Sequence, residues 1–115
     1  MAIPRFALAE DAAFRAFLAR TPRAIVLLRG DGCPYSATFE PVFVATTPPA
    51  GWTLAIRMVE EGGHGPVAEK LDVEITPSVA AFRDGAPAER LPGKLLIGIP
   101  RTVWKRWLKG LQPTP

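Results

Sequence analysis

The chain has 115 residues, 48% of them hydrophobic, which suits one globular domain with a compact core. A net charge of +3, from 14 Lys and Arg against 11 Asp and Glu, is mild and scattered, so neither nucleic acid nor another polyanion is expected as a partner. One cysteine and one histidine exclude an internal disulfide and, within one chain, a Cys/His zinc framework.

No apolar run reaches the length of about 18 residues that spans a bilayer. The start, MAIPRFALAEDAAF, acquires acids before a signal-like apolar block could form, so a soluble cytoplasmic protein without membrane contact is expected.

Phe6 and Leu8 precede a helical pattern from Ala9 to Arg20, with Phe14, Phe17 and Leu18 at helical spacing and Thr21-Pro22 as the stop. Ala24-Ile25-Val26-Leu27-Leu28 is too short for a typical helix and reads as a buried parallel strand. The loop Gly30-Asp31-Gly32 leads to Cys33. Pro34 then opens a helix carrying Phe39, Val42, Phe43 and Val44, in a first turn where its missing N–H costs nothing. Pro41 kinks that helix, and Pro48-Pro49-Ala50-Gly51 ends the unit.

Trp52 to Val59 reads as the next strand, broken by Gly62-Gly63-His64-Gly65-Pro66 ahead of a short helix around Val67 to Leu71. Ser78 to Arg83 and Ala86 to Leu91 flank Asp84-Gly85, a strong hairpin signal, and Pro92-Gly93 closes the hairpin. Pro100 to Leu111 places Val103, Trp104, Trp107, Leu108 and Leu111 on one helical face, opposite Arg101, Lys105, Arg106 and Lys109. The order α-β-α-β-α-β-β-α implies an α/β layer fold, a central mixed sheet with helices on both faces.

A strand, a short loop, Cys33-Pro34-Tyr35-Ser36 opening a kinked helix, and later Ile75-Thr76-Pro77 starting a hairpin resemble the thioredoxin superfamily. The resemblance runs from about Ile25 to Gly93 and includes Pro41 at the kink, Pro77 where the family has a cis proline facing the active site, Gly85 in the hairpin turn and Gly93 after the last strand. It implies the thioredoxin fold across a single domain: an N-terminal strand and helix region over 1–22, a motif-bearing core over 23–93, a C-terminal helix region with a small insertion over 94–111, and a tail over 112–115. Three departures from dithiol thioredoxins coincide. Ser36 replaces the resolving cysteine, Leu27 the buried acid, and Met58 the lysine paired with that acid. A chain without the second thiol can exchange that buried pair for apolar packing. Arg29 and Gly32 stand where tryptophans usually flank the motif. CPYS also differs by one residue from the CPYC of glutaredoxins, a looser likeness. Cluster-holding monothiol relatives use another tetrapeptide, and a lone cysteine would need two chains plus outside thiols to hold an iron–sulfur cluster.

At a helix N-terminus, unpaired N–H groups and the helix dipole stabilise a thiolate at Cys33. Ser36, one turn on, can donate a hydrogen bond to it but cannot resolve a mixed disulfide. The expected chemistry is monothiol exchange, in which Cys33 attacks a protein disulfide or an oxidised low-molecular-weight thiol and is released by an external thiol, glutathione or another. No cofactor is required. Pro34, Tyr35, Thr76 and Pro77 would line the substrate site, with the Thr76 backbone pairing with an extended peptide. Arg29 would attract the thiolate or a carboxylate, with Asp31 opposing it.

Plainer readings stand beside these. Cys33 can be a small buried hydrophobe, Ser36 a cap, Tyr35 a rim residue and Pro77 only a shaper of the site. His64, in a glycine-rich turn, stays outside the site, and Trp104 and Trp107 cover the sheet. The alternatives to exchange are a redox-inactive binding or chaperone-like module and a redox sensor that dimerises through Cys33. A monomer is expected, with a disulfide-linked dimer as the oxidised alternative.

Overall fold

In the computed structural model, which describes residues 2–111, the apolar run of strand β2 (Arg23–Gly30) supplies both halves of the core. Side chains alternate between the faces of a strand. Ala24, Val26 and Leu28 therefore enter one cluster while Ile25 and Leu27 enter the other, all at most 1% exposed. Burial on both faces is why this strand reads as continuously apolar.

Strand β3 (Thr53–Val59) lies parallel to β2, and β4 (Ser78–Arg83) runs antiparallel on its other side. The short β1 (Arg5–Phe6) pairs in parallel with β3, and β5 (Ala86–Pro92) pairs antiparallel with β4, giving a five-stranded sheet in the order β1-β3-β2-β4-β5. The β4–β5 turn has positive φ at both central residues, Asp84 at 53° and Gly85 at 84°. That is the twist-compatible geometry the Asp-Gly pair favours.

Helix α1 (Asp11–Ala19) packs Phe14, Phe17 and Leu18 against one face of the sheet, where Ala68 of α3 (Pro66–Lys70) joins them. On the opposite face, α2 (Pro34–Val44) contributes Phe39 and Phe43, and α4 (Arg101–Gly110) contributes Trp104. The Trp104 ring meets Phe39 edge-on at 5.5 Å and its Nε1 donates to Thr46 Oγ1 at 2.9 Å, so the polar end of the indole is satisfied inside the core. Arg101, Lys105, Arg106 and Lys109 stay exposed. A mixed sheet with helices on both faces is thus the architecture the sequence pattern implies.

Several boundaries move. The strand expected within 1–22 is the two-residue β1, too short for a period of its own to place it. The first helix is Asp11–Ala19 rather than Ala9 to Arg20, and the second parallel strand begins at Thr53, after the buried Trp52. The expected tail over 112–115 lies outside the described residues.

One pairing is corrected. The residue in register with Leu27 is Ile56, whereas Met58 is in register with Arg29. Leu27 and Ile56 are both buried in the α2–α4 cluster, with Met58 packed against its margin. Arg57, between them on β3, faces the other way. Its guanidinium is fully buried, donates to the carbonyls of Ala7 and Leu8, lies 3.5 Å from Asp11 and sits 5.4 Å from the Phe14 ring centroid. Burial lowers its pKa and Asp11 opposes that shift. This cation ties the N-terminal segment and α1 to β3.

Candidate functional site

The end of β2, the start of α2 and the turn into β4 meet at Cys33. Gly32, with φ at 77°, reverses the chain after β2 in a conformation that favours glycine, and Cys33 follows as the extended residue capping α2. The Cys33 N–H donates to Gly30 O at 3.2 Å and its carbonyl accepts from Ala37 N at 3.1 Å. With its backbone engaged on both sides, the side chain is held at the helix start. Pro34 fills the first helical position, and Pro41 is accommodated within the helix, where it removes one ladder bond.

Thr76 closes the site from the other strand. The Thr76–Pro77 peptide bond is cis, and the Cys33 thiol donates to the Thr76 carbonyl at 3.6 Å. Gly30 permits this approach, since a Cβ there would lie 2.3 Å from Thr76 Oγ1 and 2.9 Å from Cys33 Cβ. Gly93 does the same on the far side, where a Cβ would lie 2.1 Å from the Pro77 carbonyl oxygen.

Ser36 is fully buried beneath the sulfur. Its Oγ accepts from the Gly30 N–H at 3.0 Å, which leaves the hydroxyl proton free to point at Cys33. Burial pushes the Cys33 thiol up. The Ser36 and Thr76 hydroxyls and the N–H groups of Ser36 and Tyr35 more than offset it, so the thiol pKa lies below its ordinary value.

Cys33, Pro34, Tyr35 and Thr76 line one cleft of about 400 Å³. Ser36 lies below it and Pro77 behind it, both buried. Arg29 sits elsewhere in the network. It is ion-paired with Glu40 of α2, which also holds Arg5, and it donates to Gly30 O. Burial raises the Glu40 pKa, but Arg5 and Arg29 outweigh it and keep this carboxyl below the usual range. Glu61, Gly62, His64, Glu74, Ile75, Leu95 and Leu96, none of them among the expected site residues, form the remainder of the cleft wall. The glycine-rich turn and the small insertion marked both segments as loops; nothing local to them showed which part of the sheet they would meet.

Among the described residues, no group of three or more His, Cys, Asp or Glu side chains is placed to hold a metal ion, and no helix is long and apolar enough to cross a membrane.

No protein-family model matches the chain, and no curated protein matches it by sequence. Solved structures do. A mutant thioredoxin from Halobacterium salinarum is 17% identical with a TM-score of 0.69, the match covering 100% of this chain and 99% of that one. A Plasmodium falciparum thioredoxin is 15% identical with a TM-score of 0.67, over 92% and 98%. A chain from a structural study of thiol resolution in the yeast mitochondrial 1-Cys peroxiredoxin by glutathione/thioredoxin systems is 17% identical with a TM-score of 0.65, over 96% of each chain. Near-complete coverage in both directions, together with the strand order and helix placement above, makes this a chain with the thioredoxin fold.

Proposed function

We propose that this protein is a monothiol thiol–disulfide exchange factor. The Cys33 thiolate attacks one sulfur of a disulfide, forming a mixed disulfide and expelling the other half as a thiolate. An external thiolate then attacks the substrate sulfur of that mixed disulfide, so that Cys33 leaves as a thiolate and a new disulfide departs. Two-electron equivalents pass between the outside partners and none remain on the chain. The observation that carries this reading is the seat of Cys33, where one buried hydroxyl, a second hydroxyl and two helix-start N–H groups favour the ionised sulfur.

Thr76 and Pro77 dock the substrate backbone. While the thiol is protonated, its S–H occupies the Thr76 carbonyl; ionisation removes that donor and leaves the carbonyl to accept an N–H from an extended peptide. A cytoplasmic setting, whose reducing pool supplies the external thiol, suits a chain with no second cysteine.

The test is to incubate the reduced protein with a peptide disulfide and map the adduct by mass spectrometry. A mixed disulfide at Cys33, absent in Cys33→Ser and released by added thiol, is the expected result. No adduct with any disulfide while the protein remains folded would overturn the reading. Cys33 is only 6% exposed, which favours a second reading, a binding module that keeps the groove without turnover. That reading requires partner binding to survive Cys33→Ser unchanged.

A further inference from the structure

The wall opposite the Cys33 helix is built from three separate segments of distinct chemistry. Glu61, from the single helical turn Glu61–Gly63, lies against the loop before the cysteine, where its Oε2 is 3.5 Å from the position a Cβ on Gly32 would take. Glu74 lines the same cleft two residues before Thr76, and both glutamates are solvent-exposed. The third segment is the insertion after β5. Lys94 N donates to Gly98 O at 2.9 Å and Gly98 N to Lys94 O at 2.8 Å, closing a tight turn with Leu95, Leu96 and Ile97 at its tip.

Leu95 and Leu96 are each 72% exposed, and both border the cleft. The turn is seated against the motif itself, because Gly98 packs on Tyr35 and Pro77, where a Cβ would lie 3.4 Å and 3.8 Å from their side-chain atoms. The apolar tip is therefore held beside the sulfur. The titratable side chains on the cleft are Cys33, Tyr35, Glu61, His64 and Glu74, with no lysine or arginine among the lining residues described. The cation nearest in sequence to the motif, Arg29, is paired with Glu40.

We infer, on the thiol-exchange reading above, that the cleft selects cationic disulfides with an aliphatic neighbour, such as a cystine-bearing peptide with a basic residue and a leucine beside the cysteine, and disfavours anionic ones such as oxidised glutathione. Glu61 and Glu74 attract the basic group, and Leu95 and Leu96 cover the aliphatic one. Glutathione would bring two carboxylates to this wall. The chemistry is unchanged: the Cys33 thiolate displaces one thiolate from the disulfide, and the charge and shape of the retained half set the rate.

The experiment measures second-order rates of mixed-disulfide formation at Cys33 with cystamine, bis(2-hydroxyethyl) disulfide and oxidised glutathione. Each rate is divided by that of a neutral reference thiol, 3-mercapto-1-propanol, with the same disulfide to remove leaving-group differences. At low ionic strength the normalised order should be cystamine, then the neutral disulfide, then glutathione, with about tenfold between the first and last and a collapse in high salt. In Glu61→Gln/Glu74→Gln the cystamine-to-glutathione ratio should fall toward one, and in Glu61→Lys/Glu74→Lys it should invert. The disulfide dimer of a leucyl-cysteinyl-lysine peptide should react faster than its seryl counterpart, and Leu95→Ser/Leu96→Ser should erase that difference. Equal normalised rates for all three small disulfides, or a preference for glutathione, would overturn the inference while leaving thiol exchange standing. If none of the disulfides, cystamine included, gives an adduct with the folded protein, the thiol-exchange reading falls and the inference with it.

Discussion

Ser36→Ala tests how the buried hydroxyl serves the thiol. The wild-type Oγ accepts from Gly30 N at 3.0 Å, so its single proton is available to the sulfur. A hydrogen bond to a charged acceptor contributes about 1.5–3 kcal/mol. Sulfur is a weak acceptor, and at the lower end of that range the loss raises the Cys33 pKa by about one unit, since one unit corresponds to about 1.4 kcal/mol. The same change strands the buried Gly30 N–H, at a cost of about 1–2 kcal/mol in stability. The assay is the iodoacetamide alkylation rate across pH, with urea unfolding in parallel. Below the wild-type midpoint the variant should react about tenfold more slowly, while the high-pH plateau remains. Linkage adds a second readout. A native thiol that ionises below its ordinary value of 9.0 stabilises the fold at pH above that value and loses the contribution as pH falls through the native pKa. The variant should flatten this slope. An unmoved alkylation midpoint in a folded variant would refute a hydrogen bond from Ser36 to the thiolate.

Other expectations follow from the same contacts. Gly30→Ala places a Cβ 2.3 Å from Thr76 Oγ1 and 2.9 Å from Cys33 Cβ, so alkylation of Cys33 should change at least severalfold even where circular dichroism shows an intact fold; an unchanged rate would count against the close packing of Gly30, Thr76 and Cys33. Arg57→Ala removes a fully buried cation together with its carbonyl partners and its contact with Phe14, and urea titration should show a loss of about 3 kcal/mol. Acid should destabilise the protein as carboxyls held below their ordinary values become protonated. Asp11 is lowered by its hydrogen bond from Lys70 and by Arg15 and Arg57. In Glu60, burial raises the pKa, but the N–H groups of Ala68 and Val67 at the start of α3 and the charge of Arg57 lower it further. Their stabilisation is complete above ordinary values of 3.8 and 4.5 and is lost as pH falls through the native ones. Melting temperature should therefore drop between pH 5 and pH 3, and the drop should be smaller in Asp11→Asn; an equal drop would remove Asp11 from the acid response.

The features legible along the chain are those whose signals are local. The apolar run of β2 announced a strand buried on both faces, Pro34 announced the start of the helix behind Cys33, Asp84-Gly85 announced the two-residue turn, and the Trp104 stripe announced which side of the last helix packs inward. Each depends on spacing within a few residues, and chain geometry makes such spacing legible.

The tertiary structure decided the rest, because register and side-chain capture join residues far apart along the chain. Leu27 lies level with Ile56 rather than Met58 because the β2–β3 register is set when both cores close. Arg29, at the end of a strand that leads to the site, is taken by Glu40 on the face of α2. Arg57 stands inside an apolar strand, and its anchors at Ala7, Leu8 and Asp11 belong to another segment. The cleft beside Cys33 draws its glutamates and leucines from three loops with no shared period. Their common chemistry exists only where the sheet brings the ends of those loops together.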